Sequence, residues 1–157
     1  MDDKTIADIA NQFLIQGNKE LARRIGSVCE IVELAAGELL TEEGDSENDL
    51  YMILEGSFGV YFQGAQIATR EAGIHVGEMS VVDPGSERSA TIAALSTGRV
   101  AKVSHIQFAE LADSHPILWR GVAVELARRI RNLNEYISAQ EPEPEMPILE
   151  DTPENFS

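Results

Sequence analysis

Ile6, Ile9, Ala10 and Phe13 fall on one face at helical spacing. Thr5 reads as the N-cap of a helix over Ile6–Phe13, with Asp8 at its third position beside the positive end of the helix dipole. Gly17-Asn18 breaks this helix, and a second short one is expected over Lys19–Ile25. From about Cys29 to Ser104 the texture changes to short apolar runs: Cys29–Leu34, Leu39–Leu40, Leu50–Leu54, Ser57–Phe62, Gln66–Thr69, Thr91–Leu95 and Arg99–Val103. Glycine turns at Gly37, Gly44, Gly56, Gly64, Gly73 and Gly98 separate them, the pattern of a β-sandwich or barrel. Helix returns at Ser104, where Ser104-His105-Ile106-Gln107 fits a capping box for a helix to about Ala112. Pro116 can open the next helix, to about Ser138. Its apolar stripe, Trp119, Val122, Leu126, Ile130, Leu133 and Ile137, reads either as core packing or as a dimer seam.

The expected organisation is N-terminal helices over 1–28, a β-roll over 29–104, C-terminal helices over 105–138 and an acidic, proline-rich tail over 139–157. That tail should lack regular structure by composition, with Met146-Pro147-Ile148-Leu149 as a minority docking segment. Twelve Lys and Arg face 27 Asp and Glu, a formal net charge of −15. So negative a surface repels phosphate backbones and anionic lipid, which argues against nucleic acid and membrane as partners. The lone cysteine, Cys29, permits no intrachain disulfide and no iron–sulfur cluster. Cys29 reads as a small buried hydrophobe within a strand, and His75, His105 and His115 as structural or exposed. Without a signal-peptide pattern or a spanning apolar run, a cytoplasmic location is expected. No nucleophile–base pair or metal spacing appears, so an enzyme is not expected.

The chemistry concentrates in 76–91, V-G-E-M-S-V-V-D-P-G-S-E-R-S-A-T. Gly77 permits close backbone approach. Glu78–Val82 can form one helical turn whose free N–H groups would face a phosphate. Arg88 is a permanently charged planar fork suited to a phosphate, Ser89 adds a hydroxyl, and Glu78 is an acceptor suited to a ribose hydroxyl. A Glu–Arg pair tying down a surface loop is the bland alternative.

This segment resembles the phosphate-binding cassette of cyclic-nucleotide-binding domains, particularly the catabolite-activator branch, in which G-E-L-x-L precedes R-S-A. Gly77-Glu78 and Arg88-Ser89-Ala90 match it. Gly44-Asp45, the stretch Leu50-Tyr51-Met52-Ile53-Leu54-Glu55-Gly56-Ser57, Gly73 and the helical end extend the resemblance over about residues 20–137. It implies a mainly β fold with flanking helices: a double-stranded β-helix, or jelly roll, of about eight antiparallel strands, with short N-terminal helices and a long C-terminal helix. It further implies that Arg88 and Ser89 hold a cyclic phosphate with backbone N–H groups near Ser80 and Ala90. Glu78 would take the ribose 2′-hydroxyl. The ligand-binding candidates are Val60, Val76, Gly77, Glu78, Met79, Ser80, Arg88, Ser89, Ala90, Leu133 and Asn134, the last two lying where the long helix would lid the base. No cofactor is expected; the ligand is cyclic AMP, with cyclic GMP as the alternative.

Several positions depart from that branch. Leu133-Asn134 stands where it has Thr-Ser, Arg70 and His75 stand where the family has apolar residues, and the Gln63-Gly64 hairpin is shorter. No helix-turn-helix follows Ser138. The expectation is therefore a stand-alone sensor acting through an effector protein or a homodimer formed by the C-terminal helix. A ligand-free scaffold of the same fold, or a haem sensor using Cys29 and His75, are the rivals.

Overall fold

The computed structural model describes residues 1–140; expectations for the tail lie outside the described residues. The chain divides into two units, Met1–Ala123 and Val124–Ser157.

In the first unit, α1 (Asp3–Ala10) and α2 (Lys19–Val28) precede the strands β1 (Glu30–Leu34), β2 (Leu39–Thr41), β3 (Leu50–Glu55), β4 (Ser57–Phe62), β5 (Ala65–Glu71) and β6 (His75–Val76). After α3 (Glu78–Val82) come β7 (Thr91–Ala94), β8 (Gly98–Val103), α4 (His105–Ser114) and the start of α5 (Ile117–Gln140). The eight strands make two antiparallel sheets, in the orders β1-β8-β3-β6 and β2-β7-β4-β5. The jelly-roll expectation holds.

The core lies between the sheets. Leu34, Tyr51, Ile53, Val76 and Val100 come from one; Phe58, Val60, Ile92 and Ala94 come from the other. Alternation makes this possible, since every second strand residue faces inward. Gln63 (φ 50°) and Gly64 (φ 82°) join β4 to β5 through two residues that both carry positive φ, the turn whose twist suits a tight hairpin.

Three local expectations change. Asp2, not Thr5, caps α1: its carboxylate accepts from the Thr5 N–H at 2.8 Å, so the helix starts three residues earlier and ends at Ala10. Cys29 is not in a strand; it is the C-cap of α2, its N–H bonded to the Ile25 carbonyl. Strand β6 was not expected, because two residues cannot show alternation; it exists through pairing of Val76 and His75 with Tyr51 and Met52. Ser104 caps α4 as expected, accepting from the Gln107 N–H, but the capping box is not reciprocal: the Ser104 hydroxyl donates to Gln107 Oε1 at 3.1 Å.

Where α5 belongs to the first unit, Leu118 and Val122 are buried, and Trp119 meets Phe108 edge to face at 5.7 Å. The Leu14 side chain leaves no room for a Cβ at Gly121, which would come within 2.7 Å. In the second unit, Arg128 and Arg129 both donate to Glu125, and Ile130, Leu133 and Ile137 are exposed. Among the described residues no helix is long and apolar enough to cross a membrane.

Candidate functional site

The 76–91 segment is held against β3. Gly77 is the N-cap of α3 in the left-handed region (φ 84°), where a Cβ would lie 2.6 Å from the Asp49 carbonyl oxygen and 2.7 Å from Arg88 Nη1. Only glycine lets the chain turn here at so close a backbone approach. Glu78, Ser80 and Val81 point inward and are buried, whereas Met79 and Val82 are exposed.

Arg88 sits at the bottom of this loop, 6% exposed. Its backbone is clamped to the Gly44-Asp45 turn by a reciprocal pair: Arg88 N–H to the Asp45 carbonyl (2.7 Å) and Gly44 N–H to the Arg88 carbonyl (2.9 Å). Its guanidinium donates to the Asp49 carbonyl (2.6 Å), the Gly77 carbonyl (3.2 Å) and Ser80 Oγ (3.2 Å). The Tyr51 ring lies 5.8 Å from the guanidinium carbon, within cation–π range. Arg88 Nε is buried and has no hydrogen-bond partner among the described residues. A buried donor left unmet is costly, so this N–H marks a place where an acceptor would be welcome.

Ser89 is exposed at the mouth, where its hydroxyl donates to Met79 Sδ at 3.7 Å. Ala90 is half-buried against the core, and Val60 and Val76 belong to that core. The structure thus brings Gly77, Ser80 and Arg88 into direct contact and Met79 and Ser89 likewise. Leu133 and Asn134 lie on α5 in the second unit and are exposed there.

Three supports of Arg88 lie outside the residues that the sequence marks as ligand-binding: the Asp49 carbonyl, the Tyr51 ring and the Gly44-Asp45 turn. Burial, followed by the charges of Glu47 and Asp49, pushes the Tyr51 hydroxyl up to about 12, so its ring is a neutral platform. Asp49 also pairs with Lys102 at 3.5 Å. Elsewhere, burial raises the Cys29 thiol above its ordinary value, which works against a thiolate ligand. No cluster of three metal-ligating side chains occurs among the described residues.

Residues 31–115 match the family model for the cyclic nucleotide-binding domain. The chain is 34% identical over 132 residues to the Pycsar effector protein BcPycTIR of Burkholderia cepacia, covering 84% of this chain and 44% of that protein. It is 36% identical over 129 residues to the Pycsar effector protein PaPycTIR of Pseudomonas aeruginosa, covering 82% and 42%. The chain therefore spans less than half the length of these relatives. Among solved structures, a cyclic nucleotide-binding domain from Methylobacillus flagellatus superposes with a TM-score of 0.75 at 25% identity, covering 92% of this chain and 88% of that one.

Proposed function

The chain belongs to the cyclic nucleotide-binding domain family, and we propose from that premise that it is a sensor module whose 76–91 loop binds a 3′,5′-cyclic nucleotide. One observation carries the reading most: Arg88 holds a buried positive charge by neutral oxygens and an aromatic face, with one N–H unmet. Such a charge is preorganised for an anion, because its geometry is already fixed and no ion pair is formed with it among the described residues. Ser89, at the mouth, supplies a hydroxyl, with backbone N–H groups near Ser80 and Ala90. Glu78 takes the ribose 2′-hydroxyl. Val60 and Val76 form apolar walls. Cyclic AMP is the ligand in this reading, preferred over cyclic GMP because serine rather than threonine follows the cassette arginine.

The output is read by analogy with the relatives. They are effector proteins more than twice as long as the matched region. By analogy this module regulates an effector activity through an attached region, a partner or a second copy, and carries out no catalysis itself. The stripe of α5 at Ile130, Leu133 and Ile137 is the surface for such a relay.

Titration calorimetry with cyclic AMP and cyclic GMP tests the reading. Saturable binding of cyclic AMP, tighter than cyclic GMP by about tenfold or more for one well-placed hydrogen bond, is expected. Absence of binding for both returns the chain to a ligand-free scaffold, and a tighter cyclic GMP overturns the base preference.

A further inference from the structure

Met79 is the thioether of the cassette. It lies on the one-turn helix α3 between the buried Glu78 and Ser80, yet is 53% exposed. Its sulfur accepts the Ser89 hydroxyl at 3.7 Å. Among the described residues the other methionines are Met52, fully buried in β3, and Met1 at the chain start. A thioether is a weak acceptor, so a phosphate oxygen readily takes the hydroxyl from it. A sulfoxide oxygen at the same place is a much stronger acceptor and adds a polar atom at the mouth of the loop.

We propose that Met79 is a reversible oxidation site that controls whether Ser89 is available to the ligand; the inference rests on the phosphate-binding reading of Arg88 and Ser89. The oxidant is hydrogen peroxide. The thioether sulfur attacks one peroxide oxygen, the O–O bond breaks, an S–O bond forms, and the remaining oxygen leaves as water after proton transfer. Sulfur is oxidised by two electrons and peroxide is reduced. The sulfoxide oxygen then holds the Ser89 hydroxyl and crowds the place an anion would take. Methionine sulfoxide reductase reverses the change using a thiol reductant.

The test treats the full chain with hydrogen peroxide and follows each methionine by peptide mass, cyclic AMP affinity by calorimetry and amide exchange over 88–91. Met79 is expected to convert well before Met52. Affinity is expected to fall about tenfold, and reductase should restore it. Met79→Leu, compared with its own untreated value, should lose nothing on treatment, although it keeps Cys29, Met1, Met52 and Met146. Conversion of Met1 with Met79 untouched overturns the proposal, as does full conversion of Met79 with unchanged affinity. If the untreated chain binds neither nucleotide, the phosphate reading falls, and exchange decides the latch. Slower exchange at Ser89-Ala90 in the oxidised chain supports it, and unchanged exchange overturns it.

Discussion

Arg88 and Arg99 are both largely buried, both tie distant loops together, and live in opposite electrical surroundings. Arg99 faces carboxylates: it donates to Asp8, to Glu55 at 2.9 Å and to Thr5 Oγ1 at 2.9 Å, with Lys4 bridging Glu55 and Asp8 nearby. Its charge is neutralised within the fold, and its work is to pin α1 to the end of β3. Arg88 donates to carbonyls and a hydroxyl, keeps one N–H unmet among the described residues, and lies over an aromatic face. The contrast separates an arginine whose partners are carboxylates from one whose partners are neutral, the second being the one we propose for an anion. Exposed or half-exposed ion pairs contribute little to stability, whereas a buried charge without a counter-ion is costly to hold.

Replacing each arginine is the sharpest way to break the comparison. Arg88→Ala should cost about 2–5 kcal/mol of cyclic nucleotide binding, the range for truncating one side of a desolvated charged contact, and should also lower stability by about 1–3 kcal/mol, since the Asp49 and Gly77 carbonyls lose their donor. Arg99→Ala should leave calorimetric affinity within about twofold and lower stability by about 1 kcal/mol, since water can solvate Asp8 and Glu55. Affinity lost in Arg99→Ala and kept in Arg88→Ala would reverse the assignment of roles.

Two left-handed glycines give the next contrast. A Cβ at Gly77 would strike the Asp49 carbonyl and Arg88 Nη1, and one at Gly56 would lie 2.7 Å from the Thr97 carbonyl, at the β3–β4 turn. Each alanine should destabilise by about 1–2 kcal/mol from backbone strain alone. Only Gly77→Ala should also weaken ligand binding, because its clash displaces the guanidinium. Equal affinities in the two variants, measured at a temperature where both are folded, would show that Arg88 placement is not set by the Gly77 approach.

The two arginines also differ in how far the sequence displays them. Arg88 and its chemistry are legible because Gly77-Glu78 and Arg88-Ser89-Ala90 lie within one short segment with turn residues between. Arg99 is not, since its partners Thr5 and Asp8 are 94 and 91 positions away and nothing local announces them. The same limit hides half of the Arg88 support. A main-chain carbonyl such as that of Asp49 carries no residue-type signal, and Tyr51 reads as core until its ring is seen under the guanidinium. Strands β1, β3–β5, β7 and β8 are visible in the sequence as apolar runs of at least four residues, and β2 as the pair Leu39-Leu40 after the Gly37 turn. Strand β6 is not, because tertiary pairing alone makes it. The α1 start was missed because Asp2 and Thr5 are both good caps three residues apart, and the choice between them turns on which frees the better helix.

The smallest expected effect uses pH to separate the two regions. Glu55 is held below its ordinary carboxylate value near 4.5 by hydrogen bonds from Lys4, then Arg99, and Asp2 below 3.8 by the Thr5 hydrogen bonds. A depressed carboxylate contributes stability that is present above its unfolded value and is lost as pH falls through its folded one. Acid below about pH 4.5 should therefore loosen the α1 anchor. Tyr51 moves the other way: raised to about 12, it contributes stability that is complete below its ordinary value of 10.0 and lost as pH rises through its folded value. Lys4 is also raised, by Glu55 and then Asp8, so alkali disturbs both regions and acid is the arm that discriminates. Amide exchange over 3–10 and 77–91 between pH 7 and pH 3.5 should show α1 losing protection first, with the cassette following only when the whole fold goes. Cassette protection lost ahead of α1 would mean that a carboxylate supports Arg88 more than the neutral oxygens do, and the contrast between the two arginines would fail.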